Sequence, residues 1–412
     1  MAEQGRRRKR RRRAIIVTVE EEDEQPQPPQ QPQPQPQQPQ PPTQAAPQPQ
    51  PAASASAGSF EAYYREQRIV PPDEWADFAA ALGRELPCSF RLSPGPGAAA
   101  LRRAVEAGDG APGGDETPPT VEPVGWLPPG YAYVVRTATG GGRQGLKRSA
   151  PRFHGWLTAQ HDAGLLTRQE LVSMVPPMLL APQRGDRVLD MCAAPGSKTA
   201  QLLHTLTAGS EDYDAGAGAV LANDAEAKRC SILTHHLRRY GPAASTALLV
   251  SHHDAAHDPP PAPTEGFERV LCDVPCSGDG TIRKTGSIAA EWSPKNGLGR
   301  HALQLAILCN GLCRLRLGGR LVYSTCSLNP HENEAVVAAA LSGAAGAGVQ
   351  IEDCAGQLPG LRRKPGLHSW RVYLPQQAGG GEQGDGQWYT RCGPSPPAAI
   401  PRPQPYRRLQ VR

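Results

Sequence analysis

No apolar run in these 412 residues approaches the ~18–20 residues that a membrane-crossing helix requires. The amino terminus has no apolar secretory segment, being arginine-rich and then acidic. Both absences point to a reducing compartment, where the ten cysteines stay as thiols. The cysteine pairs Cys272/Cys276 and Cys309/Cys313 lack the tighter spacing that zinc pairs more often use, and no metal is expected. No G-x-x-x-x-G-K-[ST] phosphate loop is present, which argues against a triphosphate cradle. A zinc base deaminase needs H-x-E and P-C-x-x-C. Here His331 is followed directly by Glu332, and Pro275-Cys276 by Ser-Gly-Asp-Gly, so that class is excluded. Residues 25–57 are almost entirely Gln, Pro, Ala and Ser; they lack the apolar side chains that offset ordering entropy and are expected to stay disordered.

The net charge of +5 owes its sign to one run, Arg6–Arg13, in which all eight residues are basic. The rest of the chain is slightly acidic, so any other basic patch must be local. The run reads as a nuclear import signal or nucleic-acid arm, followed closely by the acidic Glu20–Glu24. It predicts a nuclear, nucleolar location with a cytoplasmic pool.

Four segments are expected: a basic and Gln/Pro-rich tail over 1–57, an amino-terminal module with a loose linker over 58–150, a catalytic domain over 151–375, and a Pro/Gly-rich tail over 376–412. Aromatics at helical spacing in Phe60–Tyr64 and Trp75–Phe78 read as core. Ser93–Pro119 reads as the linker. Residues 151–180 read as helices, with Thr167 and Glu170 as a capping box. From Gly185 the pattern alternates. Strands are expected at Arg187–Met191, Ala219–Asn223, Ala247–Ser251, Glu268–Cys272 and Arg320–Ser324. Helices are expected at 197–207, 225–239, 300–317 and 332–341, with the Gly-rich Gly209–Gly218 as a surface loop. This is an α/β chain with a mostly parallel sheet covered on both faces.

The first strand enters a glycine-containing turn, Cys192-Ala193-Ala194-Pro195-Gly196-Ser197-Lys198, and then a helix whose amino terminus offers unpaired N–H groups. Asp224 follows the second strand, where a carboxylate can hold two ribose hydroxyls; its bland alternative is a helix N-cap. Asp254 follows the third strand, within reach of an adenine amino group, although an aspartate in a loop is unremarkable in itself. The set favours S-adenosylmethionine over a triphosphate or NAD.

Cys276 and Cys326 each lie in a loop just beyond a strand, at the sheet edge where ligands bind. A thiolate added to carbon 6 of cytosine makes carbon 5 nucleophilic, and a second thiol can help expel the first. A thiolate needs a positive or helical environment. Arg283 and Lys284 can supply that charge and also contact phosphate. Cys192, Cys230, Cys272, Cys309 and Cys313 read as core. Residue chemistry alone leaves open which thiol attacks.

The segments Cys192–Lys198, Asp273-Val-Pro-Cys-Ser-Gly-Asp-Gly280 and Ser324-Thr-Cys-Ser-Leu-Asn-Pro330 resemble the motifs of the Nop/Sun RNA cytosine-5 methyltransferases. Phe60–Tyr64, Ile69–Pro71, Arg168–Glu170, Ser173–Pro177, Asn223-Asp224 and Cys230 are similar to its tRNA subgroup. The likeness covers about residues 58–392. It implies a Rossmann-like class I S-adenosylmethionine-dependent methyltransferase with a small amino-terminal α+β RNA-binding module. Its substrate would be RNA, chiefly tRNA, with no membrane and no obligatory protein partner. By the same resemblance, Cys326 is the nucleophile and Cys276 the releasing thiol. Residues 192–198, Asp224, Asp254 and Asp273 bind the methyl donor, with Asp273 near the base. Members of the subgroup continue past the last segment here, so the closing strands of the sheet are expected to be missing and one edge exposed. The alternative to an enzyme is a non-catalytic or weakly active RNA-binding relative. A DNA cytosine-5 methyltransferase shares the Pro-Cys thiol but does not require Cys326.

Overall fold

The computed structural model describes residues 12–17, 59–95, 97–107, 119–137, 142–208, 218–241, 246–374 and 387–392. Arg6–Arg11, Glu20–Glu24, the Gln/Pro-rich tract, residues 209–217 and the tail after 392 lie outside the described residues.

Thirteen strands are described. The first is β1 (Arg12–Val17). A small antiparallel sheet contains β2 (Cys88–Leu92), β3 (Thr120–Pro123), β4 (Ala132–Arg136) and β5 (Leu166–Arg168), in the order β3-β4-β2-β5. The main sheet adds β6 (Arg187–Asp190), β7 (Ala219–Asp224), β8 (Leu248–His252), β9 (Phe267–Asp273), β10 (Leu315–Ser324) and β11 (Val349–Ile351) to β1. A separate hairpin joins β12 (Ser369–Leu374) and β13 (Gln387–Cys392).

The main sheet runs β11-β1-β10-β9-β6-β7-β8, with every pairing parallel. Side chains alternate between its faces, as the strand period of two demands. Leu189, Val270, Cys272, Leu321 and Tyr323 pack against the helix His301–Arg314. Val188, Val220, Leu271 and Val322 pack on the other face under α6 (Leu171–Leu180), α7 (Ser197–Thr207) and α8 (Ala227–Arg238). Both faces are buried, so the strands read as nearly continuous apolar runs. Strand order reverses between β6 and β9, and the crevice at their carboxyl ends is the expected ligand position.

All five expected main-sheet strands form, each within two residues of its expected start except β10, which begins early at Leu315 and thereby ends the preceding helix at Arg314. Three expectations are corrected. Arg12–Val17 is not tail: β1 pairs with β10 and β11, so these residues add a strand to the main sheet. Thr167 does not cap a helix. It lies in β5, paired with Arg91 of β2, and its hydroxyl meets the Tyr240 hydroxyl at 2.7 Å, while α6 starts after Glu170 with no side-chain cap. Burial of Leu166 and Thr167 against β2 outweighs the local cap signal. The loose linker contains a helix, α3 (Ala98–Ala107), which seats Leu101 and Val105 on the small sheet.

The helix α1 (Phe60–Gln67) packs into an aromatic cluster with Trp75, Phe78 and Trp292, and the cluster also touches Leu328. Its aromatics are core, as expected, and the core they enter lies beneath the loops that follow β9 and β10.

Candidate active site

Strands β9 and β10 end side by side, and the loops beyond them stay joined. Val274 N–H donates to the Ser324 carbonyl at 3.0 Å, and Gly280 N–H donates to the Cys326 carbonyl at 3.0 Å. This registration brings the Cys276 and Cys326 sulfurs to 3.1 Å. The Cys326 backbone N–H also points at the Cys276 sulfur, at 3.3 Å. Cys326 is exposed and Cys276 half-buried. A Cβ on Gly280 would stand 2.9 Å from the Cys326 carbonyl oxygen, so only glycine permits this approach.

The two thiols are electrically unlike. The hydrogen bond from Cys276 holds the Cys326 thiol below the ordinary cysteine range; burial and Asp273 oppose this, and Lys198 assists. The same bond, followed by burial, pushes Cys276 well up. The pair is thus polarised toward a proton on Cys276 and negative charge on Cys326. The positive charge comes from Lys198. Arg283 and Lys284, expected in that role, are turned elsewhere. Arg283 donates to the Arg84 carbonyl at 2.9 Å, and Lys284 pairs with Glu170 at 2.6 Å.

Lys198 stands in the first turn of α7. Its ammonium lies 2.9 Å from Asp273, the last residue of β9, and 3.0 Å from the Ser173 hydroxyl. Burial disfavours the ammonium, but the Asp273 pair outweighs this and raises its pKa. The other Asp273 oxygen accepts from the Ser324 hydroxyl at 2.7 Å. One carboxylate thus links the cofactor-loop helix to both thiol strands.

The turn from Cys192 to Gly196 joins β6 to α7. Cys192 packs against the core, and burial raises its thiol pKa well above the usual range. Ala193 N–H donates to the Asn223 carbonyl at 2.7 Å, and Ala194 N–H to Asp224 at 3.2 Å. The Pro195 carbonyl meets a His236 ring nitrogen at 3.0 Å. Gly196 has φ +109°, and a Cβ there would stand 2.8 Å from Leu233. Ser197 opens the helix. Asp224 is the last residue of β7 rather than an N-cap. Arg229 bridges it at 3.2 Å and also donates to the Ala194 carbonyl at 2.8 Å. Asp254 lies two residues beyond β8, half-exposed. There it accepts from Ala256 N–H and pairs with His257, both at 2.9 Å. Of the cysteines expected in the core, Cys230 and Cys272 are buried and Cys309 is half-buried. Cys313, in the last turn of its helix, is exposed, while its neighbour Leu312 faces the core.

Three residues with no role assigned from sequence complete the site. Asp279 accepts from Leu328 N–H at 2.8 Å, from Trp292 at 3.2 Å and from the Tyr64 hydroxyl. Asn329 accepts from the Tyr63 hydroxyl at 3.1 Å. Glu332 lies beneath both thiol loops. Asp279 and Asn329 belong to the quoted motifs, and Glu332 lies two residues past Pro330. Their place in or beside those motifs was the available signal.

Residues 177–385, about half of the chain, match the family described as 16S rRNA methyltransferase RsmB/F. The chain belongs to this family. It is 39% identical over 338 residues to the tRNA (cytosine(34)-C(5))-methyltransferase of Drosophila melanogaster, covering 76% of this chain and 44% of that protein. It is 40% identical over 333 residues to the multisite-specific tRNA:(cytosine-C(5))-methyltransferase of Saccharomyces cerevisiae, covering 76% and 47% respectively. The chain therefore spans about half the length of the curated relatives it matches. Among solved structures, NSun6 from Pyrococcus horikoshii superposes with a TM-score of 0.51 at 18% identity, over 68% of this chain and 85% of that one. That likeness supports the Rossmann-like methyltransferase fold of this RsmB/F-family chain.

Proposed function

We propose that the protein methylates carbon 5 of cytosine in RNA, chiefly tRNA, through a covalent adduct on Cys326, with S-adenosylmethionine as the methyl donor. The observation that carries this reading is the 3.1 Å thiol pair beyond β9 and β10, with the exposed member held toward the thiolate. The printed activities of the relatives agree with it.

The residues present suit the donor. The amino terminus of α7 offers N–H groups to its carboxylate. Gly196 leaves the space a Cβ would fill, and Asp224, Asp254 and Asp273 stand at or just past the ends of three strands. S-adenosylmethionine, when bound, supplies an electrophilic methyl group. Arg229, which is 41% exposed, can leave Asp224 for solvent when ribose hydroxyls arrive.

The chain's own residues then act in order. The Cys326 thiolate adds to carbon 6, and the electron pair of the 5,6 double bond makes carbon 5 nucleophilic. Asp273, fixed by Lys198 and Ser324, is set to orient the base. After carbon 5 is methylated, a base takes its proton. Those electrons re-form the double bond, and the carbon–sulfur bond breaks. Cys276, whose S–H points at the departing sulfur, stabilises the thiolate as it leaves. Lys284 is 61% exposed and its surface pair with Glu170 is weak, so it is free to exchange that partner for an RNA phosphate, beside Arg283.

The test incubates the protein with tRNA and labelled S-adenosylmethionine. The parent should transfer label to cytosine. Cys326→Ala should form no adduct and transfer nothing. Cys276→Ala should methylate once and stall as an RNA–protein adduct that survives denaturing electrophoresis. A trapped adduct with Cys326→Ala instead would reverse the thiol roles, and an inactive parent with no adduct in either variant would leave a non-catalytic RNA binder.

A further inference from the structure

We propose that Glu332 is a positioning residue whose carboxylate clamps the two thiol loops together, keeping Cys276 within reach of Cys326 while the adduct is released. The inference rests on the thiol roles proposed above.

Glu332 is fully buried. One carboxylate oxygen accepts from Ser277 N–H at 2.8 Å and from the Gln304 side-chain amide at 3.0 Å. The other accepts from the hydroxyls of Ser277 and Ser327. Those serines directly follow Cys276 and Cys326, and their hydroxyls lie 3.0 Å apart. Gln304 also donates to the Pro275 carbonyl at 3.0 Å, immediately before Cys276. The Glu332 backbone carbonyl accepts from the Tyr323 hydroxyl at 2.6 Å, which ties the clamp to β10.

Burying a carboxylate is costly unless it is hydrogen-bonded. An apolar side chain would fill the same space without that cost. What an apolar residue cannot do is accept from both loops at once. All four donors are neutral, so the group fixes geometry, and three of them belong to the serines one residue from each sulfur. The thiols themselves share only a weak sulfur hydrogen bond; backbone bonds join the loops at Val274–Ser324 and Gly280–Cys326, and Glu332 adds the side-chain link at the residues next to each sulfur.

Glu332→Gln keeps the volume but leaves the two hydroxyls facing an amide NH2 instead of an oxygen. Cys276 should then drift from the adduct, and release should slow roughly ten- to a hundredfold, the loss expected for a hydrogen bond to a charged group. The full-length protein, tRNA and S-adenosylmethionine are used. Denaturation-resistant adduct should build up with Cys276 still present, while calorimetric affinity for S-adenosylmethionine stays at the parental value. Adding Cys276→Ala should trap no more adduct than Cys276→Ala alone, because Glu332 acts through that thiol. A purely structural role predicts attack and release falling together, with no adduct. That result, or parental turnover in a folded Glu332→Gln protein, overturns the proposal. If Glu332→Gln does not fold, Ser277→Ala with Ser327→Ala keeps the carboxylate and should give a smaller build-up; its absence overturns the proposal equally. Cys276→Ala is the control for the thiol roles. If it traps nothing, those roles fail, whereas trapping by Cys276→Ala alone refutes only the clamp.

Discussion

At the scale of single residues, the chemistry depends on asymmetry between two like groups. The two thiols differ in direction, Cys326 held down by its bond to Cys276 with help from Lys198, and Cys276 pushed up by the same bond and by burial. Gly280 guards that arrangement. Gly280→Ala would place a Cβ against the Cys326 carbonyl and push the loops apart. Overpacking of this kind costs about 1–3 kcal/mol. Turnover should fall sharply and the melting temperature modestly, with S-adenosylmethionine affinity unchanged in calorimetry. The thiols, Gly196 and the strand-end aspartates were legible in the sequence because each follows a recognisable strand. Glu332 and Asp279 were not, since their partners come from loops and helices far along the chain. The source of positive charge was misread for the same reason. Arg283 and Lys284 are neighbours of Cys276 in sequence, but Lys198 is the neighbour in space.

At the scale of elements, α1 holds both thiol loops. Adjacent tyrosines reach Asn329 in one and Asp279 in the other. Tyr64 bonds a carboxylate, so Tyr64→Phe should cost about 1.5–3 kcal/mol, against ~1 kcal/mol for Tyr63→Phe. Urea unfolding of the two variants measures the difference; equal losses would mean that the acceptor's charge is irrelevant. The alternating strands and helices after Gly185 were legible because buried parallel strands are plain apolar runs. Strand β5 was not, because three residues carry too little pattern to outvote a capping box. Strand β1 was hidden by its arginines: the run that suggested a tail extends into the sheet.

At the scale of the whole molecule, stability should depend on one buried acid. Asp190 ends β6 and bonds Thr199 of α7 at 2.8 Å. Burial lifts its pKa to about 7; the Thr199 bond opposes the shift and Asp273 adds to it. An unfolded aspartate titrates near ~3.9. A raised folded value means that the group's stabilising contribution is complete below about pH 4 and lost as the pH climbs toward 7. Asp190→Asn remains neutral, so its stability relative to the parent should improve between pH 5 and pH 8 in paired urea titrations. A difference independent of pH would show that Asp190 is not the titrating group.

The bracing of the thiol loops by α1 also bears on the order of assembly. Tyr64 and Asp279 are 215 residues apart, and Tyr63 and Asn329 are 266 apart. Contacts of such span form late, because closing a long loop must precede its reward. On the ribosome, α1 emerges early and must wait for both loops to be synthesised. The thiol pair therefore reaches its braced geometry only after the chain has been made past Asn329. A nascent chain carries the turn between β6 and α7 well before it carries a braced thiol pair, so any chemistry that needs both thiols waits for a single late event.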